Sequence, residues 1–128
     1  MFSETKDVEF LNYIANHQDV RAGGEFDVDV SPLLEQGIAY SYKNGAIIYV
    51  FKGCGIYEAH TQALKAGRGK ILREFIRWTL EDMFKNKGAE KITSYAYDSN
   101  PAAKKIAAEF LKPCGTLYEL DREVFLCH

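Results

Sequence analysis

The sequence predicts a single α+β domain in which a mixed, mostly antiparallel central sheet is flanked by helices, in the order α-β-β-β-α-β-α-β-β. Three observations predict this class. Three consecutive β-rich segments are joined by turns too short for anything but antiparallel pairing. A long amphipathic segment then leads into a further strand, which is the order of a parallel crossover. The 128 residues contain no repeat or linker, so one domain over residues 1–128 is expected.

The first half of the chain begins with a predicted helix over residues 7–17, where apolar residues recur at helical spacing. Residues 26–30 alternate at period two, which is typical of a short strand or an extended loop. Ser31-Pro32 then begins a brief helical turn. Asn44-Gly45 is a strong hairpin signal. Strands are therefore predicted on both sides of it and after Cys54-Gly55, over residues 38–42, 46–51 and 56–61.

The second half opens with a long helix over residues 70–87, which the stop signal Asn86-Lys87-Gly88 ends. Residues 91–97 are β-branched and aromatic and predict a strand. Polar Asn100 followed by Pro101 begins a helix that covers residues 102–111. Two closing strands are predicted, over residues 116–120 and 123–127.

Charge and cysteine content exclude several classes of function. Lys plus Arg is 16 and Asp plus Glu is 18, so the net charge of 16 − 18 = −2 gives no general attraction to nucleic acid or to an anionic membrane. No apolar run approaches the ~18 residues of a membrane span, and the N-terminus lacks the apolar core of a secretory signal. Three cysteines without a C-x-x-C pair indicate reduced thiols in the cytoplasm and no metal site.

The segment between the third strand and the long helix carries the most specific chemistry. Gly67 and Gly69 allow backbone N–H groups to turn outward and a phosphate to approach closely. The N-terminus of the following helix adds free N–H groups and the positive end of a dipole. The pattern is neither a Walker loop nor a dinucleotide fingerprint, so it indicates either a phosphorylated cofactor or a plain turn. Basic side chains at the same place are Lys65, Arg68 and Lys70.

The order of elements and the run Ala66-Gly67-Arg68-Gly69-Lys70 resemble the GNAT superfamily of N-acetyltransferases. In that family the loop reads Arg or Gln, two residues, Gly, one residue, Gly or Ala, and its amides hold the pyrophosphate of acetyl-coenzyme A. Leu64 stands here where Arg or Gln is usual. The resemblance implies a cofactor site that consists of Lys65, Ala66, Gly67, Arg68, Gly69 and Lys70.

The same resemblance assigns roles on the neighbouring elements. The strand before the loop would offer the backbone groups of Ala59 and Thr61 to the pantetheine arm and the thioester carbonyl. Asn100 would contact the cofactor arm from the start of the next helix. The tyrosine that often serves the family as general acid falls on Ala107, so that acid is absent at its expected position.

Three residues are candidates for proton transfer. Glu58 and His60 are two apart on a strand and share a face, so either could take a proton from an attacking amine. The alternative is that one of them is an ordinary strand residue. Tyr118 on a closing strand could replace the missing acid, although a packing aromatic is the simpler interpretation.

Residues 56–61 look most like small phage-encoded members of the family, some of which are connected with head assembly or are carried in the virion. The leading interpretation is an acetyl-coenzyme A-dependent N-acetyltransferase in which an unidentified amine, on a small molecule or a protein, attacks the thioester directly. The alternatives are a non-catalytic phage structural or head-assembly protein of the same fold and a coenzyme A or nucleotide sensor. Partners would then include a second copy of the chain or virion components, and the location would be the cytoplasm or the virion.

Overall fold

The computed structural model describes residues 1–21, 27–96, 98 and 100–127. None of the helices in this part of the chain is long and apolar enough to cross a membrane. The helices are α1 (Val8–Asn16), α2 (Ser31–Leu34), α3 (Lys70–Lys85), α4 (Pro101–Phe110) and α5 (Arg122–Leu126). The strands are β1 (Ser3–Thr5), β2 (Gly37–Tyr42), β3 (Gly45–Gly53), β4 (Ile56–Ala63), β5 (Lys91–Tyr95), β6 (Lys112–Cys114) and β7 (Leu117–Asp121).

The seven strands form one sheet in the order β1-β2-β3-β4-β5-β7-β6. All neighbours are antiparallel except β4 and β5, so the predicted mixed, mostly antiparallel class is confirmed. The predicted hairpin at Asn44-Gly45 is also confirmed, because Tyr42 pairs with Gly45 in the β2–β3 register. The parallel β4–β5 pair is the predicted crossover, with α3 as its helix.

Both faces of the sheet are covered by helices. On one face the apolar side of α3 (Leu72, Phe75, Ile76, Leu80, Met83, Phe84) packs on strand residues such as Tyr40 and Tyr49. On the other face α1 places Leu11, Ile14 and Ala15 against Ile48 and Val50. The odd-numbered residues of β3 thus point to α3 and the even-numbered residues point to α1, as the period of two in a strand requires.

Three details differ from the sequence predictions. Residues 123–127 are not a strand: the helix α5 occupies them, and its Phe125 ring stacks on Phe84 at 5.2 Å between centroids. The closing pair consists instead of β6 and β7, which are joined across a turn at Gly115, whose φ is +71°. The edge strand β1 was not predicted. Residues 27–30 are extended without sheet pairing, and residue 26 lies outside the described part.

Candidate active site

Strands β4 and β5 separate in the middle of the sheet. Their parallel pairing covers Ile56–Lys91, Tyr57–Ile92 and Glu58–Thr93 and ends there, although β4 continues to Ala63. Beyond this point, Ser94 Oγ donates a hydrogen bond to the Ala59 carbonyl at 3.4 Å. The result is a fork whose two arms are the free halves of β4 and β5.

The backbone of β4 faces into this fork at alternate residues. The carbonyl groups of Tyr57, Ala59 and Ala63 accept hydrogen bonds from Thr93, Ser94 and Arg68 respectively, so odd-numbered residues direct their backbone groups toward β5 and the fork. The alternation places the N–H and C=O groups of Thr61 on the same side. The fork is therefore lined by main-chain donors and acceptors of the residues that were predicted to contact a pantetheine arm.

A cavity of about 450 Å³ fills the fork. Its size lies within the range of roughly 300–1,000 Å³ that is typical of small-molecule sites. Its walls are the free half of β4, the end of β5, the apolar side of α3 and the alanine-rich side of α4. Residues of this chain that the sequence singled out and that line it are Ala59, His60, Thr61, Arg68, Asn100 and Ala107.

The start of α3 presents unpaired amides close to this cavity. The first helical hydrogen bond of α3 runs from Arg73 N to Gly69 O at 3.2 Å. Among the described residues, no group accepts a hydrogen bond from the N–H groups of residues 69–72. Gly69 has φ +89°, a conformation that glycine adopts readily, and no atom lies within 4 Å of the position of a Cβ there. This end of α3 is therefore open and suited to an anion.

Gly67 has a different role from the one that its sequence context indicated. Its N–H donates to Leu64 O at 2.8 Å, and its carbonyl accepts from the Tyr42 hydroxyl. A Cβ at this position would lie 2.5 Å from Asn44 Cβ. Gly67 is thus required for packing against the β2–β3 turn, and its amide is not available to a phosphate. This corrects the expectation that both glycines open the loop to a ligand.

Asp19, in the segment that follows α1, also contacts the loop between β4 and α3. The carboxylate of Asp19 accepts a hydrogen bond from Lys65 N at 3.0 Å, and this bond holds the pKa of Asp19 below its usual value. The Arg68 guanidinium donates to Asp19 O at 2.8 Å and to Ala63 O at 3.1 Å. Neither the Lys65 amide nor the Arg68 side chain is therefore free in this structure. Among the described residues, no group accepts a hydrogen bond from the amides of Ala66, Gly69 or Lys70. The Lys70 side chain is exposed, with its ammonium group 3.8 Å from Glu74 Oε1.

Glu58 and His60 are brought together as their spacing predicts. Glu58 Oε1 lies 2.8 Å from His60 Nε2, and the side chains are 17% and 43% exposed. Glu58 pairs with Val50 and His60 pairs with Ile48, so both side chains lie on the α1 face of the sheet, at the closed end of the fork. His60 is among the described residues that line the cavity and Glu58 is not, so His60 is the member of this pair that can accept a proton from a group in the cavity.

Asn100 is the N-cap of α4, as predicted. Its Oδ1 accepts from Ala103 N at 3.1 Å, which leaves its side-chain NH₂ group for the cavity that it lines. Tyr118 is only 5% exposed and packs with Ala96, Ala107 and Leu111. It is not among the described residues that line the cavity. Its position supports the packing interpretation of this ring.

Tyr95 and Asp19 line the cavity, although no motif in the sequence assigned either of them to the site. Tyr95 lies on the strand predicted over residues 91–97 and is 50% exposed. Asp19 carried no motif at all. The alternation of side chains along β5 determines which face of the sheet Tyr95 occupies. Its place beside the cavity also depends on the pairing register of β4 and β5, which the sequence does not show. No three His, Cys, Asp or Glu side chains in the described ranges are placed to hold a metal ion.

No family model and no curated protein sequence matches this chain. Solved structures do match it. Spermidine N-acetyltransferase (SpeG) from Vibrio cholerae, in complex with CoA and spermine, is 12% identical, with a TM-score of 0.72 over 98% of this chain and 97% of that chain. A ribosomal-protein-alanine N-acetyltransferase from Brucella melitensis is 15% identical, with a TM-score of 0.74 over 94% of this chain and 99% of that chain.

Identities this low establish the architecture alone. The likeness covers nearly the whole length of both chains, and it agrees with the forked sheet described above. This chain therefore has the fold of the GNAT N-acetyltransferases.

Proposed function

We propose that the protein is an acetyl-coenzyme A-dependent N-acetyltransferase whose acceptor is an amine. The observation that carries the proposal is the fork: β4 and β5 part after Glu58–Thr93, and a cavity of about 450 Å³ opens between them beside the free amides of α3. A neighbour in fold is a complex with CoA and spermine, which supports both a coenzyme A donor and an amine acceptor.

The residues present fit a bound coenzyme. The unpaired N–H groups of residues 69–72 and the Lys70 ammonium group would hold the diphosphate, because a helix N-terminus favours a negative charge. The backbone groups of Ala59 and Thr61 would hydrogen-bond the pantetheine arm and the thioester carbonyl as an added strand does. The Asn100 amide would contact the arm from α4.

The Glu58–His60 pair would act as the base. When bound, acetyl-coenzyme A supplies an activated acetyl group on a thioester. The acceptor first gives the proton of its ammonium form to the Glu58–His60 pair, which passes it to solvent. The neutral amine nitrogen then bonds to the carbonyl carbon as the carbon–sulfur bond breaks, and the second amine proton goes to the departing sulfur. Within the described chain, Cys54, Cys114 and Cys127 are exposed and line no part of the cavity, so direct transfer needs no covalent enzyme intermediate.

Coenzyme binding is tested by thermal unfolding with and without coenzyme A. A ligand at ~100 times its Kd stabilises the folded state by about 2.7 kcal/mol. Lys70→Glu places a negative charge at the open end of α3 and should weaken the coenzyme-dependent shift. The matched control is Lys52→Glu, an equally charged change on an exposed residue at the far end of β3, which should leave the shift unchanged. Equal coenzyme-dependent shifts of the unfolding temperature in Lys70→Glu and Lys52→Glu would contradict the assignment of the diphosphate to the start of α3.

Transfer is tested by the release of coenzyme thiol when acetyl-coenzyme A is mixed with a panel of amines. Loss of a general base costs about 10²–10⁴-fold in rate, so Glu58→Gln should lower kcat by that factor while the thermal shift with coenzyme A persists. His60→Gln identifies which member of the pair accepts the proton. Amine-independent thiol release in the wild-type protein would contradict the proposal.

One observation favours a second function, coenzyme binding without turnover. The cavity wall at residue 107 is an alanine methyl group, so no acid is supplied there to the departing sulfur. A coenzyme A shift without acetyl transfer to any amine would support this reading. The resemblance to phage-encoded proteins, an assembly role with virion components, a homodimer and a cytoplasmic or virion location stay predictions.

A further inference from the structure

We infer that Asp19 is an internal competitor of the coenzyme: its carboxylate binds the loop between β4 and α3, and an incoming diphosphate must displace it. This inference rests on the proposed function and deepens it by naming a residue that sets the affinity of the coenzyme site. Asp19 governs binding in this assignment and takes no part in the transfer of the acetyl group.

Asp19 lies where the cavity meets the loop. It is one of the residues that line the cavity, together with Arg68 from the loop and Thr61 from the free half of β4. Its carboxylate oxygen Oδ2 accepts a hydrogen bond from the Lys65 amide at 3.0 Å. The side chain of Asp19 is 16% exposed. A negative charge of the protein itself therefore borders the part of the cavity that the diphosphate would enter.

The groups that hold the Asp19 carboxylate are of the kind that bind a phosphate. The Lys65 amide belongs to the same loop as the amides of Ala66 and of residues 69–72, for which the described part of the chain supplies no acceptor. The hydrogen bond from Lys65 is the largest cause of the lowered pKa of Asp19, and the nearby positive charges of Lys65 and Arg68 lower this pKa further. Asp19 is thus ionised at neutral pH, and it supplies an anion to a loop that is suited to anions.

A diphosphate beside the ionised carboxylate is unfavourable, because two negative groups repel each other and the repulsion is stronger where water is excluded. The side chain of Asp19 can rotate away while its backbone stays in place. Asp19 O accepts a hydrogen bond from the Arg68 guanidinium at 2.8 Å, and Arg21 N donates to His17 O at 2.9 Å. Coenzyme binding therefore breaks the bond between Asp19 and Lys65, and the affinity for a diphosphate is reduced by the cost of breaking it.

The test compares Asp19→Asn with Asp29→Asn by isothermal titration calorimetry. Asparagine has the shape of aspartate and can still accept the hydrogen bond from Lys65, but it lacks the charge. Because a charged acceptor binds an amide more strongly than a neutral one, Asp19→Asn should lower the Kd of coenzyme A and of inorganic pyrophosphate by about five- to tenfold.

Asp29→Asn is the matched control. Asp29 also follows α1, and its carboxylate also accepts a backbone hydrogen bond, from Ser31 N at 3.0 Å. Asp29 is not among the described residues that line the cavity, so this variant should keep the wild-type Kd for both ligands. A second probe is pantetheine, which contains the arm of the coenzyme without its phosphates and should bind to wild type and Asp19→Asn with equal affinity.

An unchanged or higher Kd for pyrophosphate in Asp19→Asn would overturn the inference, because the carboxylate would then support the loop and not compete for it. An equal gain in affinity in Asp29→Asn, or an equal gain for pantetheine, would overturn it as well. Each of these results leaves the proposed function standing, provided that the wild type binds coenzyme A and acetylates an amine. A protein that binds no coenzyme A as wild type or as either variant contradicts both.

Discussion

Two buried hydroxyl groups meet between β3 and α3. Tyr49 Oη is 2.7 Å from Thr79 Oγ1, and both residues are 0% exposed. Thr79 Oγ1 also lies 2.9 Å from Ile76 O, to which it donates its only proton. The proton between the two hydroxyls therefore belongs to Tyr49, and Thr79 is the acceptor. Because of this direction, substitutions of Tyr49 and Thr79 should lower the free energy of unfolding by different amounts.

Thr79→Val removes the acceptor and leaves the Tyr49 O–H buried without a partner, which should lower the free energy of unfolding by about 1–3 kcal/mol. Tyr49→Phe removes the donor and leaves Thr79 bonded to Ile76 O, so its cost should be about 0.5–1.5 kcal/mol. In the double variant no orphaned donor remains. Its cost should therefore lie close to that of Tyr49→Phe alone, well below the sum of the two single changes.

The assay is urea unfolding of the wild type and the three variants, followed by circular dichroism, with a shared m-value as evidence that the unfolded state is unchanged. A Thr79→Ser variant keeps the acceptor and serves as the control for a change at this position. A larger loss of unfolding free energy in Tyr49→Phe than in Thr79→Val, or additive losses in the double variant, would contradict a hydrogen bond from Tyr49 to Thr79.

Three further predictions follow from the loop and from the buried tyrosine. The hydrogen bond from the Lys65 amide lowers the pKa of Asp19 in the folded state. The ionised Asp19 carboxylate therefore stabilises the folded state fully above its usual pKa of 3.8, and this contribution is lost as the pH falls through the folded pKa. In Asp19→Asn, the decline of Tm below about pH 4 should be shallower than in the wild type. Gly67→Ala sets a Cβ 2.5 Å from Asn44 Cβ and should cost about 1–3 kcal/mol in urea unfolding, which an unchanged midpoint would disprove. Tyr118→Phe should keep kcat far from the roughly hundredfold loss that removal of a general acid produces, and a loss of that size would make Tyr118 the acid.

Local signals predicted most of the sheet and its main helix. Asn44-Gly45 sets the first hairpin because the turn that it favours fixes the register of both strands. The apolar residues of α3 recur at helical spacing over a long segment, and Gly88, with φ +75°, follows its end. The run of residues 123–127 was mistaken for a strand because short apolar runs fit either period, and the Phe84–Phe125 contact that selects the helix is tertiary.

The site was predictable only where it depends on sequence neighbours. Glu58 and His60 share a strand, so their proximity follows from the period of two. The role of Gly67 depends on Asn44, which lies in the distant β2–β3 turn, and no local pattern shows that contact. The place of Tyr95 depends on the point where β4 and β5 part, and the register of a parallel pair is set by the packing of the crossover helix.

The two outer strands of the sheet, β1 and β6, have only three residues each. β6 contains Pro113, which has no N–H group to donate, and its first residue is Lys112. On β1, Glu4 forms an ion pair with Lys87 at 2.7 Å. Short, charged or proline-bearing borders resist the edge-to-edge joining of sheets that leads to aggregation. Neither border therefore offers enough main chain to continue the sheet into a second copy of this chain.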